Sequence, residues 1–198
     1  MTSLRRGQIT PLVLASASPR RRDLLAATGY EFTIDSAEID ESTAHNETPT
    51  AQVGRLAMAK AEAVAARHPQ SLILAADTLV AIKETIYGKP RDLKAAKEIL
   101  LALSGQTHEV RTCYCLKNQA QNISLARTFL SEVTFRPLNE LEIDLYLAKG
   151  ESLDKAGAYA IQGYGLSLIQ TVRGSLTNVM GLPLLEVAQD LAYFLTKD

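Results

Sequence analysis

The chain has 198 residues, 46% of them apolar, and its 21 Lys and Arg nearly cancel 22 Asp and Glu to leave a net charge of −1. A chain of that length buries a core without disulfide or metal staples. The apolar content and balanced charge speak against disorder and against a non-specific nucleic-acid coat, so any anion site must be local.

Residues 12–25 read LVLASASPRRRDLL. The apolar start predicts a buried strand, and Ser18 followed by Pro19 predicts a helix cap and first helical position, where the missing proline N–H costs nothing. Arg20, Arg21 and Arg22 follow at once, although a helix start already carries about half a positive charge. One reading is a solvated face on which Asp23 relieves Arg20 at i, i+3 spacing. The other is an anion: a strand-to-helix junction presents free N–H groups, phosphate is their usual occupant, and arginine adds a bidentate grip.

After Gly29, YEFTIDSAEIDES predicts a short strand running into an acidic loop with Glu38, Asp40 and Glu41. TPTAQVGRLAMAKAEAVAARHP repeats small apolar residues at helical spacing, a long helix that carries Arg55 and Lys60. SLILAADTLVAI is the most continuous apolar run and predicts a central strand buried on both faces. KETIYGKPRD turns back, and LKAAKEILLALSG is an amphipathic helix closed by Gly105. HEVRTCYCLK and ISLARTFLSEVTF predict a hairpin across NQAQN, and Asn139 with Glu142 has capping-box spacing at the start of the next helix. The last third is punctuated by glycine: LDKAGAYAIQGYG, a strand LSLIQTV, a turn RGS and a terminal helix after Pro183. With no repeat or linker, the pattern gives one compact α/β unit with a mixed sheet, residues 11–198, behind a flexible leader at residues 1–10. Two lobes around a cleft are compatible with it.

Asp77 interrupts the central apolar strand, where an unpaired carboxylate would cost several kcal/mol. It is either at the strand's end accepting turn N–H bonds, or a metal ligand or general base held in a crevice. Lys60 and Lys89 carry little signal alone, although Lys89 is held between Gly88 and Pro90. The acidic loop around Asp40 is an ordinary surface loop unless it faces Asp77. In that case two carboxylates and phosphate oxygens would supply the ligands that Mg²⁺ or Mn²⁺ prefers.

Cys113 and Cys115 alternate onto one strand face and read as packing. The scattered His45, His68 and His108 suit no zinc site. There is no GxxxxGK[ST] for a P-loop, and GYGLSL precedes a strand where a dinucleotide fingerprint follows one. No apolar run approaches the roughly 20 residues of a membrane span, and residues 1–10 lack a signal-peptide core, so a cytoplasmic protein without membrane or nucleic-acid partners is expected.

Six blocks in order, LASASPRRRDLL, AADTLV, GKPRD, LSGQTHEV, DKAGAYAIQG and TNVMGLPL, resemble the Maf family of septum-formation-associated nucleotide pyrophosphatases across nearly the whole chain. The resemblance implies an inosine-triphosphatase-like α/β fold with a cleft between two lobes, commonly dimeric. It also implies cleavage of nucleoside triphosphates to monophosphate and pyrophosphate, dependent on a divalent cation, Mg²⁺ or Mn²⁺. By motif, Asp77 would be the catalytic acid and a metal ligand, with Asp40 a second ligand. Arg21, Lys60 and Lys89 would bind phosphate with Ser16 in the same loop. Arg20, Thr78 and Gln162 agree with the branch that resembles dTTP/UTP pyrophosphatases, whereas the branch acting on 7-methyl-GTP tends to carry Trp, Gln and Glu there. A non-catalytic nucleotide-binding regulator of cell division is the rival from another class. Arg22 and the basic leader SLRRGQ have no assigned role.

Overall fold

The computed structural model describes residues 10–44 and 47–195. The predicted leader therefore lies outside the described residues except for Thr10, which is buried. His45 lies outside them too.

Strand β1 (Leu12–Leu14) leads into helix α1 (Pro19–Ala26), then β2 (Thr33–Ile34) and the long helix α2 (Pro49–Ala65). Strand β3 (Leu72–Ile82) turns into β4 (Thr85–Tyr87), followed by α3 (Leu93–Leu103), β5 (Thr107–Asn118), β6 (Ile123–Phe135) and α4 (Glu140–Leu147). Two 3-10 turns, Ala156–Ala158 and Gly163–Leu168, precede β7 (Ile169–Arg173), α5 (Leu176–Val179) and α6 (Leu184–Leu195). The seven strands of the described residues form one sheet in the order β2-β1-β3-β5-β6-β7, with β4 paired to β3. It is mixed, as expected: β1 is parallel to β2 and β3, whereas β4 is antiparallel to β3 and β7 to β6.

The chain divides into two compact units, Met1–Asp77 with Thr112–Phe129 and Gly181–Asp198, and Thr78–Arg111 with Leu130–Met180. In the first, all three residues of β1 and Leu72, Ile73 and Leu74 of β3 are buried in register, Leu12 opposite Leu72 and Leu14 opposite Leu74. Helix α2 starts where the Thr48 hydroxyl accepts the Ala51 N–H and Pro49 supplies the first helical position. Its buried stripe of Val53, Leu56, Ala57, Ala61 and Val64 continues into Lys60, the one charge on that face. In the second unit, Leu100 and Leu103 of α3, Phe135 of β6 and Ile143 of α4 share a core with Tyr159. The capping box is present there in full: Asn139 Oδ1 accepts the Glu142 N–H at 3.0 Å, and Glu142 Oε2 accepts the Asn139 N–H at 2.9 Å.

Two expectations are corrected, and one element is new. Asp77 is not at a strand end: β3 pairs with β1 over residues 72–74 and with β4 over residues 80–82, and Asp77 falls between the two paired stretches. The strand expected from Leu166 begins only at Ile169, because residues 163–168 coil in a 3-10 turn. Gly165 packs so closely under the Ala160 carbonyl that a Cβ would collide with it, and Gly163 has φ +67. The short helix α5 was not foreseen. The Ser175 hydroxyl caps it by accepting the Asn178 N–H, and the buried Asn178 amide donates to Val110 O at 3.1 Å and Ser131 Oγ at 2.9 Å. No helix among the described residues is long and apolar enough to cross a membrane.

Candidate active site

The site is built within the first unit, at the turn between β1 and α1. Ser18 caps α1, its hydroxyl accepting the Arg21 N–H, and its own N–H donates to Ser16 Oγ at 3.2 Å. The Arg21 side chain folds back over this turn, Nη1 donating to Ser16 Oγ at 3.4 Å and Nε to the Gly181 carbonyl at 2.8 Å. Burial pushes the Arg21 pKa down, Asp77 and Glu41 push it up, and Arg20 pushes it down again. Arg21 therefore lies in the field of two carboxylates and of its neighbour.

Those carboxylates meet at Lys60. Its Nζ is 2.7 Å from Asp77 Oδ1 and 2.6 Å from Glu41 Oε1, with the Lys60 and Asp77 side chains each 11% exposed. The buried acid in β3 thus has the partner that its burial requires. The acidic loop does reach Asp77's partner, but through Glu41. Asp40 instead accepts the Ser42 N–H at 2.8 Å, an exposed Asx turn that lowers its pKa.

The loop is fastened by Arg55. Its Nε and Nη2 each lie 2.7 Å from an oxygen of Glu47, and Nη2 also donates to the Ser42 carbonyl at 2.9 Å. The bidentate pair holds the guanidinium, and its bond to the Ser42 carbonyl holds the residue next to Glu41. Glu41 and Arg55 are the site residues that sequence reasoning did not select. Adjacent acids in an irregular loop have no periodicity to show which one turns inward, and Arg55 stands on the exposed side of α2.

Arg22 receives a plain role. It pairs with Asp23, Nε at 2.9 Å and Nη2 at 2.8 Å from Oδ1, on an exposed surface where such pairs contribute roughly 0–1 kcal/mol. Asp23 thus faces Arg22, where the solvated reading paired it with Arg20. Thr78, part-buried in β3, Lys89, exposed after β4, and Gln162, exposed at the start of the Gly163–Leu168 turn, all belong to the second unit. A pocket of ≈ 190 Å³ in that unit, lined by Leu145, Tyr146, Lys149 and Tyr164 among others, contains none of the expected residues.

A divalent cation was expected, and the donor set fits one in part. Among the described residues no group of three or more His, Cys, Asp or Glu is placed to hold a metal. Two carboxylate oxygens do converge on a single cation, the Lys60 ammonium. Mg²⁺ is commonly bound by one or two carboxylates, with substrate phosphates and water completing the shell.

The family model described as Maf-like protein matches residues 11–194. The chain belongs to the Maf family. Curated Maf relatives include the dTTP/UTP pyrophosphatase of Myxococcus xanthus, 51% identical over 88% of each chain. That of Moorella thermoacetica is 48% identical over 94% of this chain and 96% of its own, and that of Desulfotalea psychrophila 41% identical over 93% and 94%. Among solved structures, the Ham1 protein of Staphylococcus aureus is 15% identical, with TM-score 0.47 over 81% of this chain and 80% of its own.

Proposed function

We propose that this Maf-family chain hydrolyses dTTP and UTP to the nucleoside monophosphate and pyrophosphate. The names of its relatives support the reaction and the bases. The observation that carries the reading is the grouping of Asp77, Lys60 and Glu41 in the field of Arg21, beside the N–H groups at the start of α1.

Cleavage that leaves pyrophosphate whole must bring water to the α-phosphorus. Asp77 is the group we assign to that water, orienting it or taking its proton. Ser16 and Arg21 would receive phosphoryl oxygens at the helix start, and Arg21 with Lys60 would stabilise charge developing on the departing pyrophosphate. A preorganised donor of this kind contributes roughly a hundredfold to a thousandfold in rate. A divalent cation, Mg²⁺ or Mn²⁺, would be held by Asp77 and Glu41, with Asp40 beside them in the loop. It would supply charge neutralisation on the phosphoryl oxygens and a more acidic water. Lys89 as a further phosphate binder, and Thr78, Gln162 and Arg20 near the base and sugar, rest on the family resemblance.

The test is a panel of dTTP, UTP, CTP, ATP, GTP and 7-methyl-GTP, each with Mg²⁺, Mn²⁺ or chelator, scored separately for pyrophosphate and orthophosphate. Pyrophosphate release fastest from dTTP and UTP, and only with metal, is expected. Orthophosphate as the product, or nucleotide binding without turnover, would overturn the reading.

A further inference from the structure

We infer that Lys60 is a resident counter-cation, holding Asp77 and Glu41 together until a nucleotide arrives, and that its transfer to a phosphate releases the carboxylate pair to a divalent cation. The inference rests on the metal-dependent reading of the site and adds an order of events to it.

Three observations carry it. The Lys60 ammonium stands where a shared cation would stand, 2.6 Å from Glu41 Oε1 and 2.7 Å from Asp77 Oδ1. Lys60 is not the only positive charge facing these acids: the Arg21 guanidinium is in the field of Asp77 and Glu41, with Arg20 beside it. Lys60 is also the one charge on the buried stripe of α2, with its side chain 11% exposed, so it has few other places to put its proton donors.

A bare divalent cation entering this group would have to displace one positive charge while facing another, in a poorly solvated place where like charges repel strongly. A triphosphate changes that balance. It offers Lys60 and Arg21 new anionic partners, and the lysine's flexible four-carbon stem and compact charge suit a move between partners better than a guanidinium fork would. The carboxylates then lose their counter-ion as the cation comes in with the phosphates. Nucleotide and metal thus bind with positive coupling, and by linkage each raises the other's affinity by the same factor.

Uptake of Mn²⁺ tests this without turnover, by the electron paramagnetic resonance signal of free Mn²⁺ in the presence and absence of α,β-imido-dTTP. Wild type is expected to bind Mn²⁺ weakly alone and at least about tenfold more tightly with the analogue. Lys60→Met, which keeps the stem and removes the charge, is expected to bind Mn²⁺ at least about tenfold more tightly than wild type in the absence of nucleotide, with a smaller gain from the analogue. Lys60→Arg should show no gain. Should Lys60→Met not fold, the Nζ resonance of ¹⁵N-labelled wild type decides: it should stay in place with Mg²⁺ alone and move with Mg²⁺ plus analogue. Analogue-assisted Mn²⁺ binding in wild type with no gain in Lys60→Met, or an Nζ signal unmoved by both ligands, overturns the inference alone. No Mn²⁺ uptake even with the analogue removes the metal reading and the inference with it.

Discussion

Lys60 on helix α2 and Asp77 on strand β3 are joined by one short ion pair, Nζ to Oδ1 at 2.7 Å. The pair binds helix α2 to the middle of strand β3. Because Lys60 also holds Glu41, neutralising Asp77 leaves the lysine with a partner, so the fold should survive the change. Asp77→Asn is therefore expected to lower kcat by at least about a thousandfold, roughly 4 kcal/mol, with an unchanged circular dichroism spectrum. Turnover within a few-fold of wild type, with the metal requirement intact, would remove Asp77 from the chemistry.

Arg55 touches no expected ligand, yet its hold on Glu47 and on the Ser42 carbonyl sets the backbone beside Glu41. Arg55→Ala should lower kcat/KM by about tenfold, or 1.4 kcal/mol, through looser placement of Glu41. A double-mutant cycle separates this from a general loss of stability: Glu41→Gln should cost less in the Arg55→Ala background than in wild type. Strictly additive losses would mean that the two residues act independently.

Stability should respond to acid in two separate windows. Burial holds the His108 ring near 4 against an ordinary value of 6.5, and its Nε2 lies 2.8 Å from the Tyr159 hydroxyl. The unfolded chain takes up this proton first, so the stability is complete above 6.5 and falls as pH drops towards 4, by on the order of 3 kcal/mol. Asp35 acts in the same sense but in a lower window. Its hydrogen bonds from Arg67 and His68 hold it near 2, below an ordinary 3.8, so its contribution persists above 3.8 and is lost as pH falls through about 2. Urea titrations in steps from pH 7 to 2 read both, and His108→Gln should flatten the upper window while leaving the lower one.

On the family resemblance we propose that the base preference rests on Gln162, which opens the turn that Gly163 and Gly165 shape. A carboxamide offers both a donor group and an acceptor, matching the carbonyl and N3–H of thymine or uracil. Gln162→Glu should reduce kcat/KM for dTTP by at least about tenfold, roughly 1.4 kcal/mol, because the donor is lost and a charge faces a carbonyl. An unchanged ratio of dTTP to GTP turnover in this variant would move the assignment elsewhere.

Local signals were readable wherever a few adjacent residues decide the structure. Asn139 and Glu142 close their capping box without outside help, and Ser18 with Pro19 starts α1 where the sequence places it. Helix α5 was not readable, because the bonds that secure Asn178 come from Val110 and Ser131, far away in the chain. Asp77 was recognisable as anomalous from its apolar neighbours. Its position within β3 was not, since the extent of pairing with β1 and β4 depends on strands that the segment does not contain. That Glu41 and not Asp40 meets Lys60 was not readable for the same reason: both acids lie in a loop without a period, and only Lys60, nineteen residues on from Glu41, distinguishes them.

Cys113 and Cys115, neighbours on one face of β5, are 1% and 0% exposed. A thiol reagent can meet them only in the moments when that strand opens. The rate at which the native chain is labelled is then a clock for the opening, and its free energy follows from the ratio to the rate of an unprotected thiol. A ligand that binds only the closed chain slows the clock by the factor 1 + [L]/Kd. Two packing residues thereby give a colour readout of nucleotide affinity in a protein that would otherwise consume its ligand, provided that the analogue resists cleavage.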